Sequence, residues 1–354
     1  MATIFRAIMD FVKNCTGRAV QDWSDFWFRP ADPLTLACLR ICTGLCLLYL
    51  HASCAPNCLS YIGPQGWVDR AATAQLAALP SSELDANHGW SVWHLIADSQ
   101  KASLLYYYFL GAIVLFTVGC CSRISNVLVW VGHLSFVHRS MITWYGVDVV
   151  LSMLLFYLLW GPTGDALSVD RLLLRRRLGV KSLSPAAPSF TANLSLRAIQ
   201  VHMCIIYLCS GLSKLQGESW WDGSAIWQVL MIRELGIFDL RWIALFDDRT
   251  VQLISSTGVL VTIAFEVSFV YLIWNRRARP LLLAAAVLLH GMIGALMGLG
   301  VFSAVMLTGC LSFVSPTAIR WTLQQLAPDR RAEVAQELTR AAVLEETAVA
   351  GGKI

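Results

Sequence analysis

The segment Tyr207-Leu-Cys-Ser-Gly-Leu-Ser-Lys214 sets a phenol, a hydroxyl and an amine at i, i+3 and i+7, one face of a helix. An amine at the edge of an apolar region can serve as a neutral base near pH 7, or it can snorkel to the headgroups. Glu266, between Phe265 and Val267, must be neutral or paired, because an isolated carboxylate in hydrocarbon is prohibitive. Counted along their own segments, Lys214 falls at the outer edge and Glu266 in the inner half, so the two need not touch. His290 and His202 read as hydrogen-bonding struts between helices. Arg40 reads as a snorkelling or ion-paired residue, and Arg139 with Asp148 as a pair across one hairpin turn. Ser219-Trp220-Trp221-Asp222 fits a helix N-cap, with Asp222 near exposed amides and Gly223 following. No metal-ligand spacing is found.

The elements that must position these groups are membrane spans. Hydrophobic residues make up 56% of 354 positions and charged residues 14%, about half the charge of an ordinary soluble domain. The mean hydropathy is +0.59. A hydrocarbon core of about 30 Å takes roughly 20 apolar helical residues to cross. Only helices or closed barrels satisfy the backbone there. Leu281 to Leu289 is an unbroken apolar run, which excludes the alternation of a barrel strand. The fold class is therefore all-α, a polytopic helical membrane protein with about eight spans and outer interfacial helices. The spans fall at 33–53, 102–120, 124–144, 146–161, 194–214, 251–274, 280–297 and 299–315. The lysines and arginines gather on one side of them, notably Arg171, Arg175, Arg176, Arg177, Arg276, Arg277 and Arg279, so both termini are expected inside.

Residues 1–32 form an amphipathic segment, 33–316 the membrane domain and 317–354 a helical tail. The tryptophan-rich stretches 55–101 and 215–250 should fold as short helices at the outer interface. Cys38, Cys42 and Cys46 share one helix face as small apolar residues, while Cys54 and Cys58 could form a disulfide. A net charge of +4 is too weak and dispersed for a nucleic-acid partner. The lipid bilayer is the one partner that composition requires.

Several of these residues together resemble a known family. Arg40-Ile-Cys-Thr-Gly44 is similar to the R-I-x-x-G of the first helix of the HTTM membrane domain, which is shared with vitamin K-dependent gamma-carboxylase. Tyr207 to Lys214 followed by Trp220-Trp-Asp-Gly-Ser-Ala225 resembles its Y-x-x-(A/S)-G-x-x-K and W-x-(D/E)-G. Glu266, His290 and Phe302 match an acid, a histidine and a phenylalanine of its later helices, and Gly146-Val-Asp148 with Ser168-Val-Asp170 matches a recurrent pair. The resemblance covers roughly residues 25–316. It implies that Lys214 is the base that deprotonates a reduced, vitamin K-like quinone, with His290 and Glu266 in support. The large soluble part of the carboxylase has no counterpart in 317–354. The family also includes a bacterial protein that helps to mature a secreted toxin peptide.

Two functions follow as expectations. One is a membrane enzyme acting at the outer face on a quinone or a peptide, with Lys214 as general base. The other is a non-catalytic partner in maturation, export or immunity of a secreted peptide. A transporter finds less support, since no internal repeat is visible. A bacterial inner membrane is the expected location, with the endoplasmic reticulum as the alternative.

Overall fold

A computed structural model describes residues 17–67, 90–140, 142–143, 145–180, 184–232 and 245–326. The first sixteen residues of the expected amphipathic segment and the tail beyond 326 lie outside the described residues. Among those described, the chain is helical, with one isolated β-bridge. A first helix, α1, covers 17–28. It is followed by α2 (Leu34–Cys54), α3 (Cys58–Ile62), α4 (Ser99–Val118), α5 (Ser122–Arg139), α6 (Gly146–Leu158), α7 (Val169–Arg177) and α8 (Phe190–Lys214). After these come α9 (Glu218–Trp221), α10 (Ala225–Leu230), α11 (Asp248–Leu272), α12 (Arg279–Leu296) and α13 (Gly300–Cys310). The chain separates into two units at Phe313, and α14 (Pro316–Leu326) belongs to the second.

Local chemistry starts and stops these helices. The Asp98 carboxylate accepts from Lys101 N at the start of α4, Ser168 from Arg171 N at α7, Ser189 from Ala192 N at α8 and Asp247 from Thr250 N at α11. Each satisfies an amide that has no partner inside its helix. Asp148 and Tyr145 close a reciprocal cap on α6. α4 ends at Gly119, whose φ of 71° suits a residue without Cβ.

Eight helices occupy the places of the eight expected spans, with shifted ends. Five of the eight are long and apolar enough to cross a membrane alone: α2 with its continuation to Ile62, α4, α8, α11 and α12. α6, with 13 residues, is about 20 Å long, and α13, with 11, about 17 Å. α5 has length but buries Ser122, Ser125, Asn126, His133, Ser135 and Arg139 along one side. α5 also keeps an exposed apolar side, with Ile124, Val127 and Leu128. Leu253, Leu260, Leu281 and Leu288 of α11 and α12 are each more than 60% exposed, as a lipid-facing surface requires.

α2 packs on α4, α4 on α5, α8 on α11 and α12 on α13. The α2–α4 seam closes at Gly44, where a Cβ would lie 2.2 Å from Thr117 Oγ1. Ala31 and Ser189 exchange both backbone hydrogen bonds at 3.0 Å, so α2 and α8 start at the same face. The turn 119–122 joins that face, because Asp170 N donates to Gly119 O. At the opposite end, Ser91 Oγ donates to Ser135 O and Arg139 to Gly63 O.

Candidate functional site

Lys214 ends α8, and its amine meets the carboxylate of Glu266 on α11. Nζ lies 2.9 Å from Glu266 Oε2, 3.0 Å from Oε1 and 2.7 Å from Ser210 Oγ. Ser210 Oγ also donates to Oε1, at 3.1 Å. The indole of Trp220 stands 5.1 Å from Nζ, within cation–π range. Oε2 pairs with the amine by charge but not with hydrogen-bond geometry. The expectation that these two residues need not touch is corrected by the packing. At 25 residues α11 is about 37 Å long, more than the hydrocarbon thickness, so position along its own helix is a poor measure of depth. Gly211 lets the helices close at this level, since a Cβ there would sit 2.9 Å from Val267 Cγ2 and 3.2 Å from Glu266 Cβ. Burial leaves the Lys214 side chain 19% exposed and Glu266 9%.

Tyr207, on the same face of α8, reaches a second set of partners. Its hydroxyl lies 2.8 Å from His290 Nε2 on α12 and 3.3 Å from Cys310 Sγ on α13. Phe265 and Phe269 pack on its ring, the latter at 4.3 Å between centroids, and Phe302 stands 5.9 Å from His290. His290 Nδ1 and Ser303 Oγ are buried without a hydrogen-bond partner. Tyr207 and His290 therefore share one cluster with Phe265, the neighbour of Glu266. His202 is separate and pairs with Tyr157 at 3.1 Å.

The remaining candidates hold the frame. Arg40 is fully buried and donates to Thr163 O at 2.5 Å and Leu167 O at 2.6 Å, so it neither snorkels nor faces lipid. Arg139 donates to Gly63 O, and Asp148 accepts from Tyr145 N at 3.0 Å. The contacts the structure shows for that expected pair are thus to backbone. Ser219 lies inside α9, whose N-cap is Gly217, which corrects the expected cap. Asp222 instead closes the turn into α10 by accepting from Ser224 N at 2.8 Å. Donation by the Ser224 hydroxyl and amide holds the Asp222 carboxyl below its usual range. Gly223 has a φ of 78° and presses on Ser256, while Ser255 Oγ donates to its carbonyl at 2.6 Å. Trp221 is 73% exposed and donates to Leu215 O. Beside Asp222 lies a cavity of about 470 Å³, also lined by Trp227, Phe246, Asp248 and Gln252. Cys54 and Cys58 are free thiols.

Two clusters escape sequence spacing. His51 and His133 are fully buried, 3.1 Å apart between Nε2 and Nδ1. Tyr106 hydroxyl donates to His51 O at 2.8 Å, and His133 Nε2 lies 3.3 Å from Asp148 O. Each residue stands alone in its own helix, and only the packing of α2, α4, α5 and α6 joins them. In addition, Cys120, Cys121 and Asp170 bring their donor atoms within 4.8 Å of one another, although no spacing suggested a metal-ligand set.

No curated protein and no solved structure matches the chain. A family model described as HTTM domain matches residues 83–318, well over half of the chain, and takes in Lys214, Glu266, His290 and the Trp220 motif, though not Arg40. With five helices long and apolar enough to cross a membrane among the described residues, and a family match over two thirds of its length, the chain belongs to the HTTM domain family.

Proposed function

We propose that this protein is a membrane enzyme related to vitamin K-dependent gamma-carboxylase, with Lys214 as general base at the outer face of a cell membrane, bacterial by preference. The observation that carries the reading is the Lys214–Glu266–Ser210 contact. A lysine that is ion-paired must lose a proton before it can act as a base. The Glu266 carboxylate, 2.9 Å away, is the acceptor in place for that proton. Nζ then takes the hydroxyl proton of the substrate, and the Glu266 proton leaves to restore the pair. Trp220 and Ser210 hold the amine in line throughout.

In this reading a reduced quinone is held at the Tyr207–His290 cluster. His290 Nδ1 and Ser303 Oγ are buried polar atoms awaiting a partner, and Tyr207, Phe265, Phe269 and Phe302 supply flat apolar walls. When bound, such a quinone supplies an acidic hydroxyl and an oxygen-reactive ring. His290 and Ser303 would hold its oxygens, while Lys214 would receive the proton.

The test is oxygen-dependent consumption of a reduced naphthoquinone by the protein in lipid nanodiscs. Lys214→Ala should abolish it while the protein still inserts and unfolds cooperatively. Full turnover by Lys214→Ala would refute the base assignment. A second reading, a non-catalytic partner for a secreted peptide, draws on the exposed Trp221 and the cavity beside Asp222 and Trp227. It expects peptide maturation to survive Lys214→Ala and to fail on Trp221→Ala with Trp227→Ala.

A further inference from the structure

We propose that Cys120, Cys121 and Asp170 form a binding site for a thiophilic divalent cation of the zinc type. The three residues come from two connections: the turn between α4 and α5, and the start of α7. Their donor atoms lie within 4.8 Å of one another. Tetrahedral zinc with bonds of about 2.0–2.3 Å needs its ligands roughly 3.3–3.8 Å apart. The donors thus lie at most about 1.5 Å outside that spacing. Three protein donors then leave the fourth tetrahedral position to water.

The backbone is arranged for this. Cys121 has a φ of 47° and a ψ of 48°, a left-handed conformation that a residue with Cβ adopts at a cost of about 1–2 kcal/mol. Glycine would take it freely, yet a thiol stands there. Asp170 imposes the turn. Its Oδ1 accepts from Cys121 N at 2.7 Å, and its Oδ2 accepts from Ser122 N at 2.8 Å and from Ser122 Oγ at 2.7 Å. A carboxylate offers about four lone-pair sites, so Oδ1 keeps one for an ion. The carboxylate is thus already oriented by the amides of Cys121 and Ser122 and by the Ser122 hydroxyl, as the partners of a metal ligand must orient it. Asp170 N in turn donates to Gly119 O at 3.0 Å, tying the carboxylate's own helix to the turn that carries the thiols.

Access is open. Cys121 is exposed and Cys120 half-buried, in contrast to the buried Cys58, Cys204 and Cys310. Two adjacent thiolates with a carboxylate suit a borderline-soft ion and not calcium or magnesium, which prefer oxygen alone. The site stands apart from Lys214 and does not depend on the reading of that residue. It lies beside Arg40, whose guanidinium carbon would be 2.7 Å from a Cβ at Gly119, so an ion there would brace the same loop that satisfies Arg40.

The experiment uses the full chain, reduced and metal-free, in detergent. Zinc is titrated with the bound metal counted after desalting, and cobalt is added separately as a spectroscopic probe. The expected result is one zinc per chain, and a thiolate-to-cobalt absorption band that Cys120→Ser with Cys121→Ser removes. The nine other cysteines remain in that variant, so persistence of the band at full strength would overturn the proposal, as would no stoichiometric zinc in the wild type. Should the double variant fail to fold, Cys121→Ala replaces only an exposed side chain, because Asp170 bonds its backbone. It should weaken zinc at least tenfold and reduce the rise in unfolding temperature that zinc gives the wild type. An unchanged rise in Cys121→Ala would equally sink the site.

Discussion

Lys214 Nζ and Glu266 Oε2 stand 2.9 Å apart across the α8–α11 seam, and they are the two candidates whose own segments set them at different depths. Removing one partner of a buried pair typically costs about 3–5 kcal/mol, whereas replacing both by apolar groups can be neutral. With Lys214 19% exposed, the lower end applies. Glu266→Leu alone should therefore lower the unfolding temperature markedly. Lys214→Met combined with Glu266→Leu should recover most of it. A catalytic role predicts that this double variant is stable and inactive; recovery of quinone turnover alongside stability would reduce the pair to a strut.

Trp220→Ala removes the cation–π contact with Lys214, worth about 0.5–1 kcal/mol at a partly exposed site. Stability should barely change. The rate of quinone consumption should fall more than tenfold, because the amine loses its guide, and Trp220→Phe should restore part of it. Equal rates for wild type and Trp220→Ala would show that the indole does not orient the base.

Tyr207→Phe leaves His290 Nε2 and Cys310 Sγ without their shared hydroxyl. Leaving a buried polar atom unsatisfied costs about 1–3 kcal/mol. The loss should appear in thermal unfolding. No measurable loss would mean that water takes over the hydroxyl's place.

Acid should weaken the turn beneath α4 and α5. Burial alone would raise the Asp170 carboxyl, but the hydroxyl and amide of Ser122 and the amide of Cys121 outweigh it and hold it below its usual value. Its folded value is thus depressed. The stability it gives is complete above the ordinary aspartate value of about 3.9 and is lost as pH falls through the lower folded one. Unfolding followed from pH 6 down to 2 should show this loss, and Asp170→Asn should flatten it. An identical acid profile for Asp170→Asn would contradict the assignment.

The sequence made the helices and much of the amine site legible for physical reasons. Apolar runs of span length declare themselves, and Tyr207, Ser210 and Lys214 share one helix and therefore a fixed face. Glu266 was visible as a costly charge, but its partner was not, because depth counted along each helix ignores that α11 is too long for the membrane. His51 and His133 leave no sequence signal for a related reason. Each is an ordinary residue within its own segment, and the pair exists only once α2 and α5 pack. Arg40 was legible as a problem, while its solution, two carbonyls in a loop more than a hundred residues away, left no periodic trace.

That distance bears on how the chain comes off the ribosome. Arg40 finds its acceptors 123 and 127 residues later. At about 5–20 residues per second, the first span waits roughly 6–25 s before Thr163 and Leu167 even exist. A guanidinium left without those acceptors in lipid costs at least about 2.5–3.5 kcal/mol for that time. The nascent first helix must linger at a wet or proteinaceous exit, and the earliest segment to be made becomes among the last to reach its seat.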